Sequence, residues 1–371
     1  MGHYRVLLSL LILFSQMLFA QSTSPLVDSI YSTLTPRARA GQMILVYNSP
    51  LSFLESSGVG GVLIMGGMLR KPELLSQNLL VAQETLPIPL LVSIDQEGGL
   101  INRLSRIEKW KNAPSAQEMS TWESDSITTY QSAVALDLID LGINLNLAPV
   151  LDPYTNELDE TTHIGNEKRS FGTGVEEIVK PAIAFAEGFT QNNVGCVIKH
   201  FPGYNIKENS DKNVSVSNAD SSEIYAFMQP FFAFRTGATA VMMASVLYEK
   251  VCDKPAVFCS DIVEQARKID PNILVMTDDL WGTAVRSFTY PNKEITTKSY
   301  PDSAFARVVE LSVLAGNDVL MITYPQKVEL MITTIMRMAK EDPSVAHHVE
   351  EAVKRILYQK EKLGLFDGDK N

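Results

Sequence analysis

Two short segments hold the residues best suited to chemistry: Lys199-His200-Phe201-Pro202-Gly203 and Thr277-Asp278-Asp279-Leu280. Asp278 offers a carboxylate able to attack an anomeric carbon and form a covalent intermediate. Held near cationic groups, it is expected to stay ionised. Asp279 follows directly, so on an extended strand the two side chains leave opposite faces and only one can enter a site. The competing reading is structural, because Asp is an ordinary cap at a strand-to-helix turn. Asp95, in Ile94-Asp95-Gln96-Glu97-Gly98-Gly99, precedes glycines that let the backbone turn sharply. Its carboxylate could grip two hydroxyls at once, with Arg103 donating to the same ring. Arg169, in Lys168-Arg169-Ser170-Phe171-Gly172, and the Lys199-His200 pair add further donors. Singly, each could be a surface ion pair or a capped loop; together they read as a polar binding site.

Such residues must be carried by elements that bring them to one place. Eight short apolar runs recur between turn residues: Gln42–Tyr47, Gly60–Met65, Leu90–Asp95, Asn144–Asp152, Gly195–Phe201, Ala240–Val246, Ile273–Asp278 and Asp318–Tyr324. Longer segments of helical period separate them, among them Pro72–Glu84, Ser126–Leu141, Val175–Gln191, Ser222–Thr236, Ser303–Ala315 and Val349–Leu363. Runs apolar on both faces, alternating with helices, predict buried parallel strands in βα units. Eight of them predict a single-domain α/β protein, a (β/α)₈ barrel, with a doubly wound open sheet as the competing fold. In a barrel, reactive groups gather at the C-terminal ends of the strands. Asp95, Asp152, Lys199, His200, Ser245 and Asp278 all fall at the downstream ends of their runs.

The first 20 residues read as an export signal: Arg5, an apolar run from Val6 to Phe14, then Leu18-Phe19-Ala20 as a cleavage site before Gln21. This run is shorter than the roughly 20 apolar residues a spanning helix needs, and no later segment reads as membrane-inserted. The expected location is periplasmic or secreted, with residues 21–371 as the barrel domain. Removing the signal takes away Arg5 and no acid, so the charge of −11 becomes −12, from 31 basic and 43 acidic residues. That balance disfavours a nucleic-acid partner, whose phosphates call for Lys and Arg. Three cysteines cannot form a disulfide framework. Cys196 lies in an apolar run and is expected to be a buried thiol, whereas Cys252 and Cys259 could pair across a loop containing proline, a point the sequence leaves open.

Five blocks, from Ile94-Asp95-Gln96-Glu97-Gly98-Gly99 through Ala148-Pro149-Val150-Leu151-Asp152, Arg169-Ser170-Phe171-Gly172 and Lys199-His200-Phe201-Pro202-Gly203 to Thr277-Asp278-Asp279-Leu280, resemble those of glycoside hydrolase family 3. The likeness is to its single-domain β-N-acetylglucosaminidase branch and runs from about Thr35 to Gly364. It implies a (β/α)₈ barrel and retaining removal of terminal β-linked N-acetylhexosamine from cell-wall or chitin-type glycans, without metal or cofactor. By the same resemblance, Asp278 takes the nucleophile's place, and Asp95, Arg103, Arg169, Lys199 and His200 take sugar-binding places.

The departures from that pattern cluster in one loop. This branch normally reads Gly-His-Gly and then Asp-Ser-His after the fifth strand, the final histidine giving a proton to the leaving oxygen. Here the stretch is Gly203-Tyr204-Asn205 and then, allowing one inserted residue, Asp211-Lys212-Asn213. Asn213 therefore stands where the acid/base histidine is usual, and asparagine cannot do its work. Ser245 replaces a histidine often found after the sixth strand, and Leu100 an arginine that often follows the paired glycines. Only His163, His200, His347 and His348 remain beyond residue 20. Two outcomes stay open: Asp211, Glu208 or His163 supplies the proton, or the protein binds amino-sugar oligosaccharides without efficient hydrolysis. Transfer of the glycosyl group to phosphate or another sugar is a weaker third.

Overall fold

The computed structural model describes residues 24–154, 162–204, 206–234, 237–291 and 299–367. The export-signal reading, which rests on residues 1–20, lies outside the described residues, as does Asn205.

Eight parallel strands form the core: β1 (Ile44–Tyr47), β2 (Gly61–Ile64), β3 (Leu91–Ile94), β4 (Leu145–Asn146), β5 (Gly195–Phe201), β6 (Ala240–Met243), β7 (Leu274–Thr277) and β8 (Leu320–Ile322). Each pairs with its sequence neighbour, and β1 pairs with β8. A bridge between Met276 and Val319 joins β7 to β8, with Thr277 N donating to Val319 O at 2.9 Å. Strand order without reversal, together with this closure, gives the (β/α)₈ barrel and rules out the open doubly wound sheet. Nearly every strand residue is buried, because one face fills the barrel and the other packs under helices.

Element boundaries differ from expectation where a local rule intervenes. The fourth run keeps only Leu145–Asn146 in the regular ladder, since Pro149 has no N–H to donate. Val150 rejoins β5 through a bridge to Lys199, and this continues the chain to Asp152. The last helix begins at Pro343 rather than Val349, because Asp342 caps it by accepting from Ser344 N and Pro343 suits the first turn. His348 on this helix meets the carbonyl of Asn317 at 3.0 Å, just before β8 and at the end of the barrel opposite the strand C-termini. At that same end the buried Asp318 is held by Arg267 and Arg355, each at 2.7 Å. Cys196 is a buried free thiol, and Cys252 and Cys259 form a disulfide.

Candidate active site

The end of β3 shows how the chain aims its polar groups. Beyond Asp95, Gln96–Gly98 and Ile101–Asn102 form a small hairpin. Asn146 of β4 fixes its first residue, accepting from Gln96 N and donating to Gln96 O, both at 3.0 Å. Gly98 has φ 95°, and a Cβ there would lie 2.0 Å from the carbonyl oxygen of Pro114, so only glycine fits. The hairpin turns Glu97 inward and returns Arg103 to within 3.5 Å of Asp95.

A cavity of about 260 Å³ opens at the C-terminal ends of the strands. This lies just below the roughly 300 Å³ at which pockets for larger ligands begin, and suits a single sugar ring. Lys199 Nζ sits on its floor, 2.9 Å from Asp95 and 2.6 Å from Glu97. Arg169 clamps Glu97 through Nε at 2.8 Å and Nη2 at 3.0 Å. Burial alone would raise the proton affinities of Asp95 and Glu97. Lys199 and Arg103 overcome it at Asp95, as Arg169 and Lys199 do at Glu97, so both carboxyls are held below their ordinary values. The same ion pairs overcome the effect of burial on Lys199, whose ammonium holds its proton more tightly than usual.

At the end of β4, the fully buried Asp152 accepts from the backbone N–H of His200 and of Tyr204, at 3.1 and 2.8 Å. Its second oxygen meets His200 Nδ1 at 2.6 Å. A carboxylate at Nδ1 keeps a proton there and leaves Nε2 for the cavity. The Lys199–His200 peptide is cis, and both side chains line the cavity.

At the end of β7 the two adjacent aspartates divide the two roles anticipated for them. Asp279 accepts from Trp281 N, Thr323 N and Thr323 Oγ1, at 3.0, 2.9 and 2.6 Å, and so stitches β7 to the end of β8. Asp278 lines the cavity, and its described hydrogen bond is from Asp279 N at 2.8 Å. Among the described residues no Lys or Arg pairs with it. This corrects the expectation of a carboxylate kept ionised by cations, because Asp95 and Glu97 have taken those cations. Burial, reinforced by Asp211 and opposed by His200, pushes the Asp278 carboxyl up to about 7.

The loop after β5 arches over the mouth. Tyr248 Oη donates to Gly203 O, Val216–Ser217 pairs with Leu247–Tyr248, and Thr283 N and Ala284 N donate to the carbonyls of Asp211 and Ser210, both at 3.0 Å. Asp211 thereby lines the cavity. Asn213 does not: it is exposed, with Nδ2 3.4 Å from Asn209 O. Glu208 faces a separate depression on the outer side of the loop. Ser245 is buried outside the cavity lining, and Leu100 is exposed at the hairpin tip.

Two acidic cavity residues, Glu97 and Glu167, were missed as binding groups in the sequence, as were Tyr204, Asn209, Ser210 and Lys212 on the loop after β5. Glu97 was masked by its neighbour Asp95, although the turn imposed by Gly98 and Gly99 could have signalled an inward carboxylate. Glu167, with His163, lies in a loop whose path only the fold reveals.

Comparison with known proteins places these features in context. The family described as "Glycosyl hydrolase family 3 N terminal domain" matches residues 37–358. A β-hexosaminidase of Neisseria meningitidis serogroup B is 28% identical over 244 residues, 61% of this chain and 64% of that protein. One of Tolumonas auensis is 29% identical over 252 residues, 65% of this chain and 72% of that protein. The chain thus spans about two thirds of the length of these relatives. Among solved structures, a β-N-acetylhexosaminidase from Beutenbergia cavernae is 26% identical and superposes with a TM-score of 0.73, covering 88% of this chain and 99% of the other. M tuberculosis LpqI, 23% identical, shares the fold with a TM-score of 0.77 over 92% of this chain and 98% of its own.

Proposed function

The chain belongs to glycosyl hydrolase family 3, and from that premise we propose that it is a retaining glycosidase releasing terminal β-linked N-acetylhexosamine by double displacement at Asp278. One observation carries the reading. Asp95 and Glu97 in the cavity lining are paired with Lys199, Arg103 or Arg169, whereas Asp278, at the end of a barrel strand, lines it with no Lys or Arg partner among the described residues, a lack it shares only with Asp211 on the loop over the mouth among the lining carboxylates. A carboxylate in that state gains most when positive charge develops at the anomeric carbon in front of it. Lys199, Arg103 and Asp95, with His200, supply donors and acceptors for the ring hydroxyls, and Arg169 acts mainly by holding Glu97. The relatives named as hexosaminidases support the N-acetylhexosamine substrate. Export through residues 1–20, leaving residues 21–371 as one barrel domain in the periplasm or outside the cell, accords with the Cys252–Cys259 disulfide, which persists best in an oxidising compartment.

The test is release of nitrophenol from an activated N-acetyl-β-glucosaminide between pH 4 and 8, with trapping by a fluorinated sugar analogue. Label recovered on the peptide carrying Asp278 supports the reading; no release and no label at any pH overturns it. A second reading, a binding protein with little turnover, is favoured by the exposed position of Asn213 outside the cavity. Calorimetry without detectable affinity for N-acetylglucosamine-terminated oligosaccharides removes that alternative.

A further inference from the structure

The double displacement needs a group that protonates the leaving oxygen, and the usual position offers only Asn213. We propose that His163, oriented by Glu167, is this acid and base; the inference rests on the reading of Asp278 as nucleophile. His163 opens a short helical turn, His163–Asn166, whose start is capped by Thr162 Oγ1 accepting from Gly165 N at 3.1 Å. Its backbone N–H donates to Ile206 O at 2.8 Å, which fastens this β4 loop to the loop after β5. The imidazole lines the same cavity as Asp278, and burial lowers its proton affinity against the opposing charge of Glu167.

Glu167, four residues on, places Oε2 3.3 Å from His163 Nε2, and the same oxygen lies 3.4 Å from Arg169 Nη1. Arg169 is itself fixed by Glu97, so the carboxylate that aims the histidine is tied into the cavity floor. With the Glu167 carboxylate beside Nε2 at ion-pair distance, Nδ1 is the ring nitrogen left for a ligand; among the described residues no protein hydrogen bond occupies it. This is an imidazole oriented by a carboxylate and anchored from behind, the arrangement that general acid–base catalysis requires.

The rival donors lack that support. No hydrogen bond to the Asp211 carboxylate orients it among the described residues, and its charge instead raises the proton affinity of Asp278. Glu208 faces away, its carbonyl accepting from Tyr204 Oη.

In the first half-reaction Asp278 forms a bond to the anomeric carbon as the glycosidic C–O bond breaks, and the His163 Nδ1 proton passes to the departing oxygen. In the second, His163 takes a proton from water while the water oxygen bonds to the anomeric carbon, and the Asp278 carboxylate leaves with its electron pair. Proton and electron pairs balance over the two steps, and the histidine ends as it began.

The test compares a dinitrophenyl N-acetyl-β-glucosaminide, whose leaving group needs no proton, with an N-acetylglucosamine disaccharide, whose leaving group does. In His163→Gln, disaccharide kcat/KM is expected to fall by about 10² to 10⁴ and aryl kcat/KM, which reports the first half-reaction, by less than about tenfold, while aryl kcat falls because the second half-reaction has lost its base. Azide should restore aryl turnover and yield the β-glycosyl azide, which a merely structural role would not produce. Labelling of Asp278 by the fluorinated analogue in the same variant reports an intact site. Asp211→Asn should keep the ratio between the two substrates, and Asn213→His should leave disaccharide turnover unchanged. Equal losses of kcat/KM on both substrates in His163→Gln, a selective disaccharide loss in Asp211→Asn, or a gain in Asn213→His would each overturn the assignment while leaving the Asp278 reading intact. Wild-type protein silent on both substrates and unlabelled would overturn the Asp278 reading, and this one with it.

Discussion

Asp278→Asn separates the electrostatic cost of the proposed nucleophile from its chemistry. In the folded protein, burial and Asp211 push the Asp278 carboxyl from 3.8 up to about 7. A folded-state pKa above the unfolded one means that the native state binds the proton more tightly. Stability from this group is therefore full below about pH 4 and declines as pH rises towards 7. At 1.36 kcal/mol per pKa unit, ionising the folded carboxyl costs about 4 kcal/mol as a ceiling, and about 2 kcal/mol once water reaching the open cavity screens the charge. Asparagine carries no charge to desolvate. Urea unfolding from pH 4 to 8.5 should show Asp278→Asn gaining stability relative to wild type with rising pH, levelling above pH 7 at about 2 kcal/mol. The same variant should lose roughly 10⁴ or more in turnover, since removing a nucleophile disables the whole catalytic unit. A stability difference independent of pH, or a variant less stable than wild type at pH 8, would refute the argument that this carboxylate is buried without a counter-ion.

Three further changes test the surrounding site. Glu97→Gln leaves Lys199 and Arg169 buried beside a neutral amide, with an expected loss of about 3 to 5 kcal/mol in denaturant unfolding and a raised KM for the sugar. Asp152→Asn presents an amide N–H to His200 Nδ1 and shifts the histidine proton to Nε2; kcat/KM should drop roughly 10²-fold, with the circular dichroism spectrum unchanged. Cys252→Ser with Cys259→Ser should lower stability by roughly 2 to 3 kcal/mol in oxidising buffer, a difference that disappears when wild type is unfolded with reductant present.

The barrel and most of its site were legible in the sequence. Apolar runs bounded by turns admit few packings, and eight alternating with helices admit essentially one closed arrangement, so placing Asp95, Lys199, His200 and Asp278 at the mouth needed only the downstream position of each in its run. Boundaries were less legible, because the ladder of β4 is cut by a proline and the last helix is set by the cap at Asp342. Asp278 and Asp279 show the limit clearly. Strand alternation allowed one of the pair into the cavity, but only the hydrogen bonds from Thr323, just past the end of β8, identified Asp279 as the stitch.

Residue types and their order determined the fold, the supply of carboxylates and cations, and the lack of a histidine between Phe201 and Val246. Tertiary structure decided how those groups are shared. Lys199 and Arg169 are spent on Asp95 and Glu97, so Asp278 is left with a raised proton affinity. It also brings His163 and Glu167 to a cavity whose proposed nucleophile lies more than a hundred residues away in the chain. Ionisation and proton transfer depend on distances of a few ångströms between groups from different loops, and such distances exist only once the barrel has closed.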